Sequence, residues 1–401
     1  MPEDPRPDFD PKWPVCAECQ GVQVEGHKVC VAHLADLADY EPDGELDLRG
    51  VTVDSALLAG VLGRFRDHEA KRYVMRRIRC DHTWFTGRAW FDNIEVAGEA
   101  CFYHAHFSGQ TSFRVVTAAQ EITFAMARFA GPTAMARLTA TSIILERASF
   151  ARPFSIYAAA TKKLDCMGTV FESGAEITTT GAVDATGARF GGPSTISNTA
   201  VLSLAHSDVS NLVLTDVDLR ECSFLGAHRL DQLRLDGAIQ FARPDGRWRS
   251  RRRVLADEGE GSPEQVSALY RSLRKSFEDS KNEAGAGDFY YGEMEARRHS
   301  TASSFAERAI LSFYWALSGY GQRAIRALAT LLVVISVVTA VLMAAGQDFG
   351  LAARVALGTA LSKDPQVELT ATGEWIVLVA RFLGPLLLAL AVLAIRSRVK
   401  R

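Results

Sequence analysis

The chain of 401 residues carries 45 Lys and Arg against 47 Asp and Glu, a formal net charge of −2. Such near-neutrality excludes a nucleic-acid binder that works by bulk positive charge. A composition of 48% apolar and 23% charged residues excludes a disordered chain and a coiled coil, and the length corresponds to roughly two or three domains.

Residues 1–14 (MPEDPRPDFDPKWP) are acidic and proline-rich and lack the apolar core of a secretory signal, so the soluble part of the chain is expected in the cytosol. In that setting seven cysteines, an odd number, argue against a disulfide framework. Cys16, Cys19, Cys30 and His33 read C-x2-C-x10-C-x2-H, a spacing in which two short loops each offer two ligands to one tetrahedral Zn²⁺. Four protein ligands leave no place for a water, which makes the expected zinc site structural rather than catalytic. His27 is the rival fourth ligand. So short a segment has too little core to fold unaided, and metal binding would supply that free energy. Cys80, Cys101, Cys166 and Cys222 are dispersed and read as small buried hydrophobes. Beyond the cluster, residues 32–39 read as a short helix; Leu46, Leu48, Val51 and Val53 alternate like a strand; Asp54 caps a helix running to about Arg66. Residues 1–40 are thus a zinc segment, and 41–82 form a strand-and-helix cap on the region beginning at residue 83.

Residues 83–240 are organised by a repeat. Apolar residues recur at Phe85, Phe91, Val96, Phe102, Phe107, Phe113, Ala118, Phe124 and Phe129, in alternating steps of six and five. Small residues such as Ala89, Ala100, Ala105 and Ala127 stand two positions before many of them, and Leu204, Val209, Leu214, Leu219 and Phe224 continue the series at steps of five. That period fits neither a 3.6-residue helix nor a long two-residue strand. It fits a chain that turns a corner every five or six residues and stacks its coils at about 4.8 Å.

The segments TDVDL at 215–219 and CSFLG at 222–226, with ARF at 127–129 and again at 188–190, carry a resemblance to the pentapeptide-repeat proteins. The resemblance implies a mainly β fold, a right-handed quadrilateral parallel β-helix, of about seven coils over this stretch. Between 132 and 200 the spacing drifts to six or seven, the match to the pattern is degenerate, and the sequence does not fix the register.

A basic linker comes next: Arg243, Arg247, Arg249, Arg251, Arg252 and Arg253 around Trp248. Ser262 and Pro263 form an N-cap and first-position pair for a helix that places Val266, Leu269, Tyr270, Leu273 and Phe277 on one face, expected to pack on the stretch around Phe289, Tyr290, Tyr291 and Met294. This connector occupies 241–322; within it, Phe313, Tyr314, Trp315 and Tyr320 read as an interfacial aromatic belt.

In the last region, 323–401, residues 327–346 carry no formal charge and 375–395 carry one, Arg381. Each apolar run would span roughly 30 Å as a helix, the thickness of a hydrocarbon core. Arginines before the first run (Arg297, Arg298, Arg308, Arg323, Arg326) and basic residues after the second (Arg396, Arg398, Lys400, Arg401) place both termini in the cytoplasm of a two-span hairpin. Arg381 is expected to snorkel or to pair with Glu374, and Gly384-Pro385 to kink the second span. Residues 347–374 occupy the place of a pore loop, and 351–361 are amphipathic enough to be re-entrant. The connector resembles that of membrane-linked pentapeptide-repeat proteins, some of which continue into a two-helix ion-channel module.

The expected function is a non-enzymatic, membrane-anchored interaction scaffold, with membrane lipids and an unidentified protein as partners and a homo-oligomer as an open possibility. A channel or transporter subunit is the first alternative, since two spans enclose a pore only with copies of themselves. Topoisomerase protection by mimicry of DNA is the second, disfavoured because 83–240 holds 15 acidic against 12 basic residues. His104 and His106 have no Glu or Cys at ligand spacing and read as surface residues.

Overall fold

The computed structural model describes residues 9–158, 162–243, 252–360 and 371–399. The chain divides into two units, one reaching Asp245 and including Leu255–Gly259, the other made of Gly246–Val254 and Glu260–Arg401. Of the linker, Arg247, Trp248, Arg249 and Arg251 lie outside the described residues, as do 361–370 of the pore-loop stretch.

The first unit is a parallel β-solenoid of about eight turns. Its short strands stack into ladders of eight, seven, eight and four strands, parallel throughout except for one hairpin, Arg66–Asp67 with Arg72–Met75, at the start of the shortest. The first ladder begins at Glu45–Asp47 paired in register with Arg77–Arg79, and the second at Thr52–Val53 paired with Trp84–Phe85. The solenoid therefore reaches back into residues that the sequence marks as a separate cap. Val53 stands in the column that Phe85 continues, and Leu46 stands opposite Ile78, both aliphatic and buried, so the aromatic repeat does not reveal this coil. Within it, helix α1 (Ser55–Gly63), capped by the Asp54 carboxylate accepting from the Leu57 N–H, stands where later coils run a strand.

Inside, the buried rings stack from coil to coil. Phe85, Phe107, Phe129, Phe150, Phe171 and Phe190 form one column with successive centroids 4.7, 4.6, 4.6, 5.4 and 5.5 Å apart. Parallel pairing forces equivalent residues into one file, so a ring at one inward position calls for a ring at the next. Cys80, Cys166 and Cys222 are fully buried, as expected of small hydrophobes. Cys101 departs from that expectation: it is half-buried, its thiol donates to Asp81 Oδ1 at 2.9 Å, and burial together with that carboxylate pushes it up to about 12.

Corners fall on residues with left-handed backbone. One file of them, His82, His104, Met126, Arg147, Gly168, Gly187, His206 and Gly226, measures coil lengths of 22, 22, 21, 21, 19, 19 and 20 residues. The irregular spacing between 132 and 200 is this shortening. From the start of a third-ladder strand to the start of the next first-ladder strand the distance falls from ten residues (Thr111 to Glu121) through nine (Thr133 to Ser142) to seven (Ala175 to Ala182). That link is the one carrying the four-strand ladder, which accordingly ends at Val116–Ala118 and is prolonged by a single Thr117–Thr139 bridge. A register shift at Ala136/Leu138 lies in the same link. At the next corner along each coil the chain approaches its neighbour so closely that a Cβ on Gly131 would stand 2.3 Å from the carbonyl oxygen of Gly109, which only glycine accommodates.

At the far end Leu255–Gly259 returns to the last coils. Asp257, fully buried, accepts from the Ser223 hydroxyl at 2.6 Å and from the Phe224 N–H at 2.9 Å.

The second unit is helical: α2 (Pro263–Asp279), α3 (Glu283–His299), α4 (Phe305–Ser318), α5 (Ala324–Ala344), α6 (Phe349–Ala360) and α7 (Ala371–Val399). Ser262 and Gln265 complete a capping box ahead of α2. As expected, its buried face of Val266, Leu269, Tyr270, Leu273 and Phe277 meets α3, with Phe289 against Tyr270 and Phe277 at 5.4 and 4.9 Å. Buried Glu293 is held between Arg271 at 2.9 Å and Arg274 at 2.8 Å, so no charge there is left without its counterpart. Arg252 lies over Tyr270 and Tyr291, and Arg253 over Phe277. The aromatic belt is corrected at Tyr320, which is fully buried and donates to Glu295 Oε2 at 2.9 Å; Trp315 is half-buried between Arg298 and Arg326 at 4.7 and 4.8 Å, and Phe313 is exposed. Tyr320 sits in a left-handed turn between two glycines that reverses the chain into α5, which brings its ring inward.

Among the described residues α5 is the one helix long and apolar enough to cross a membrane. The helix α7 continues across Pro385 and carries a shorter apolar stretch, Val377–Val392, with Arg381 half-buried beside Leu378, Phe382 and Pro385. The short α6 packs on both through a core of Val338, Leu342, Ala352, Ala356, Val377 and Ala380.

Candidate metal centre

The sequence pattern around residue 20 folds as two tight loops on the first coil of the solenoid. Cys16 N–H donates to the Gly21 carbonyl at 2.8 Å, Ala17 N–H to Lys28 at 2.9 Å and Val24 N–H to Val29 at 2.9 Å, closing the loops. The Val22 N–H donates to the Arg49 carbonyl at 2.8 Å, and the Arg49 guanidinium lies 5.2 Å from the Trp13 ring, whose Nε1 donates to Gln20. These contacts tie the loops to the turn between Leu48 and Val51. Gly21 is required by the same closeness, because a Cβ there would stand 2.9 Å from Val51 Cγ2 and 3.2 Å from Cys19 Sγ.

Cys16, Cys19, Cys30 and His33 converge, with their ligand atoms all within 4.8 Å of one another. Cys19 Sγ lies 3.5 Å from Cys30 Sγ, and His33 Nδ1 lies 3.5 Å from Cys16 Sγ and 3.3 Å from Cys30 Sγ. A tetrahedron with metal–sulfur bonds of about 2.3 Å and a metal–nitrogen bond of about 2.0 Å has edges of roughly 3.5–3.8 Å, so the donor set and its spacing suit zinc. Backbone N–H groups of Glu18 and Gly21 point at Cys16 Sγ and Cys19 Sγ at 3.4 and 3.3 Å, a pattern that favours thiolates. Nδ1 faces the sulfurs, and Nε2 looks outward to Glu18 at 3.9 Å, a carboxylate placed to orient the ring. His27, the rival ligand, is exposed on the turn after Val24 and is not part of the group.

Electrostatics in the cluster divide the protons. The Cys30 thiol donates to Cys19 and brings it down to about 5, while Cys30 itself is pushed up, first by that hydrogen bond and then by burial. Burial opposes ionisation of Cys16, but the Glu18 N–H and further donors outweigh it and leave the thiol below its ordinary value. The Cys16 sulfur raises His33. A dication entering the cluster would displace the remaining protons, which couples binding to pH.

The two histidines expected at the surface part company. His104 stacks on His82 at 4.9 Å on the corner file, and His106 meets Trp84 edge-on at 5.9 Å. Sequence reasoning gave no sign of Asp257, whose role rests on a return of the chain that no local pattern announces.

No protein-family model, no curated protein and no solved structure matches this chain.

Proposed function

We propose that the chain is a non-enzymatic membrane-anchored scaffold. Its solenoid is a right-handed, four-sided coil of pentapeptide-repeat type, facing the cytoplasm, closed at its start by a structural zinc on Cys16, Cys19, Cys30 and His33, and α5 and α7 form the two spans that hold it to the membrane with both termini inside. The observation that carries this reading is the placement of apolar side chains: a continuous inward file of rings in the solenoid, against outward-facing Ile325, Leu332, Val333, Phe382 and Leu386 on α5 and α7. A coil filled with rings leaves its outer faces as the working surface, and side chains bare to the outside of a helix pair call for lipid. On the third ladder Trp90 and Tyr157 are 52% and 56% exposed, residue types that anchor protein interfaces. Affinity purification of the full chain in mild detergent tests the reading. It predicts a companion protein retained by the wild type and lost from the Trp90→Ala/Tyr157→Ala variant; a chain that never retains one contradicts it. Nearly balanced charge on the repeat weighs against nucleic acid and against topoisomerase mimicry.

A second reading is favoured by α6, a short helix packed on both candidate spans, which is where an oligomeric pore would keep a re-entrant segment. Unitary currents in planar bilayers that vanish with Arg381→Ala would establish it in place of a plain anchor.

A further inference from the structure

The helix α4 is apolar on two sides, and its own unit covers only one. Leu311, Tyr314, Trp315 and Ser318 turn toward the rest of the unit, with Leu311 in a cluster with Tyr291, Met294 and Tyr320. At 100° per residue, Phe305, Ala306, Ala309, Ile310, Phe313 and Ala316 fall on a single arc of about 140°. Every one of the six is exposed, Phe305, Ile310 and Phe313 by 87, 68 and 59%. No charged residue interrupts the arc. Arg308, on its flank, is exposed, while Arg297 pairs with Glu307, Arg298 pairs with Glu295, and Arg323 and Arg326 lie over Tyr291 and Trp315.

Depth is set by length. With 21 residues α5 is about 32 Å long, enough to use the whole hydrocarbon thickness, so its first turn, flanked by Arg323 and Arg326, stands at the boundary. Only residues 319–323 separate Ser318 from that turn, a reach of at most about 20 Å. A helix tethered there, bare and apolar on one arc with exposed Arg308 on its flank, matches the surface of a bilayer that contains anionic lipid.

We propose that α4 lies flat in the headgroup layer, Phe305, Ile310 and Phe313 dipping toward the acyl chains and Arg308 meeting anionic headgroups. This rests on the reading of α5 as a span. The lipid contact couples the connector helices to the membrane surface, because the opposite side of α4 is packed on α3.

Photo-cross-linking of the full chain in vesicles of phosphatidylcholine and phosphatidylglycerol tests it, with p-benzoylphenylalanine replacing in turn Phe313, Val333 on α5, and Trp90 on the solenoid. Lipid adducts at 313 within about threefold of those at 333, and none at 90, are expected. Adducts at 333 without adducts at 313 overturn the proposal and leave the span standing. An absence at both positions overturns the span and the proposal with it. Cross-links at 313 to a second copy of the chain also overturn it, making the arc a contact between copies.

Discussion

Among the described residues of the solenoid unit seven large apolar side chains stand exposed, between Val15 and Met167; in the helical unit nineteen do, all between Phe305 and Val392. Both units contain well-packed cores, so the difference does not reflect loose packing in the second. A solenoid turns one face of each strand into its interior and the other to water, while the α5–α7 group turns large side chains inward and outward alike. Helices that are apolar all round are stable only in an apolar surrounding.

Removing the metal gives the largest effect, because structural zinc supplies about 10–16 kcal/mol of apparent binding energy in isolated finger peptides at neutral pH. Elemental analysis should find one equivalent of zinc per chain, lost in Cys16→Ser, and limited proteolysis should then cut within the two loops while leaving the helical unit as it was. Because the ligands must shed their protons, acidification should release the metal. Retention of zinc by Cys16→Ser would remove that ligand from the account.

Truncating a ring sharpens the comparison directly. Phe129→Ala opens a hole between rings 4.6 Å away on either side and should destabilise the solenoid by about 3–5 kcal/mol. The matching change Phe313→Ala, on the bare arc of α4, should cost under about 1 kcal/mol by thermal melting in detergent. Equal losses would break the distinction between the two units.

Two smaller effects probe the corners. Gly131→Ala, forced against the Gly109 carbonyl, should lower solenoid stability by about 1–3 kcal/mol. Val115, a β-branched residue held at φ 56° and 40% exposed, should yield to Asn with a gain of about 1 kcal/mol, since Asn93 already occupies the same corner one coil earlier. A loss on Val115→Asn would mean that the side chain makes contacts worth more than its strain.

Much of the fold and of the metal cluster was legible in the residues alone. Steps of five and six identified the coil, since a solenoid's inward positions return on each face, and Cys16, Cys19, Cys30 and His33 were legible because metal ligands keep fixed spacing. The early start at Glu45 was hidden, because Leu and Val at inward positions lack the contrast that phenylalanine provides. The shortening from 22 to 19 residues appeared only as blurred spacing, because a lost corner residue leaves each ring in its column. The sequence could not choose between His27 and His33 by ligand type; the loop geometry does, by carrying His27 out onto a turn. Tyr320 read as a belt residue since its neighbours are aromatic, and only the left-handed turn that swings it toward Glu295 reveals otherwise.

Membrane attachment through the α5–α7 group is the central claim, and alkaline carbonate extraction of host membranes, with flotation of the washed vesicles, tests it most directly. The full chain should remain with the lipid through the wash and rise with the vesicles. Its recovery in the supernatant as a folded, detergent-free protein would contradict the account.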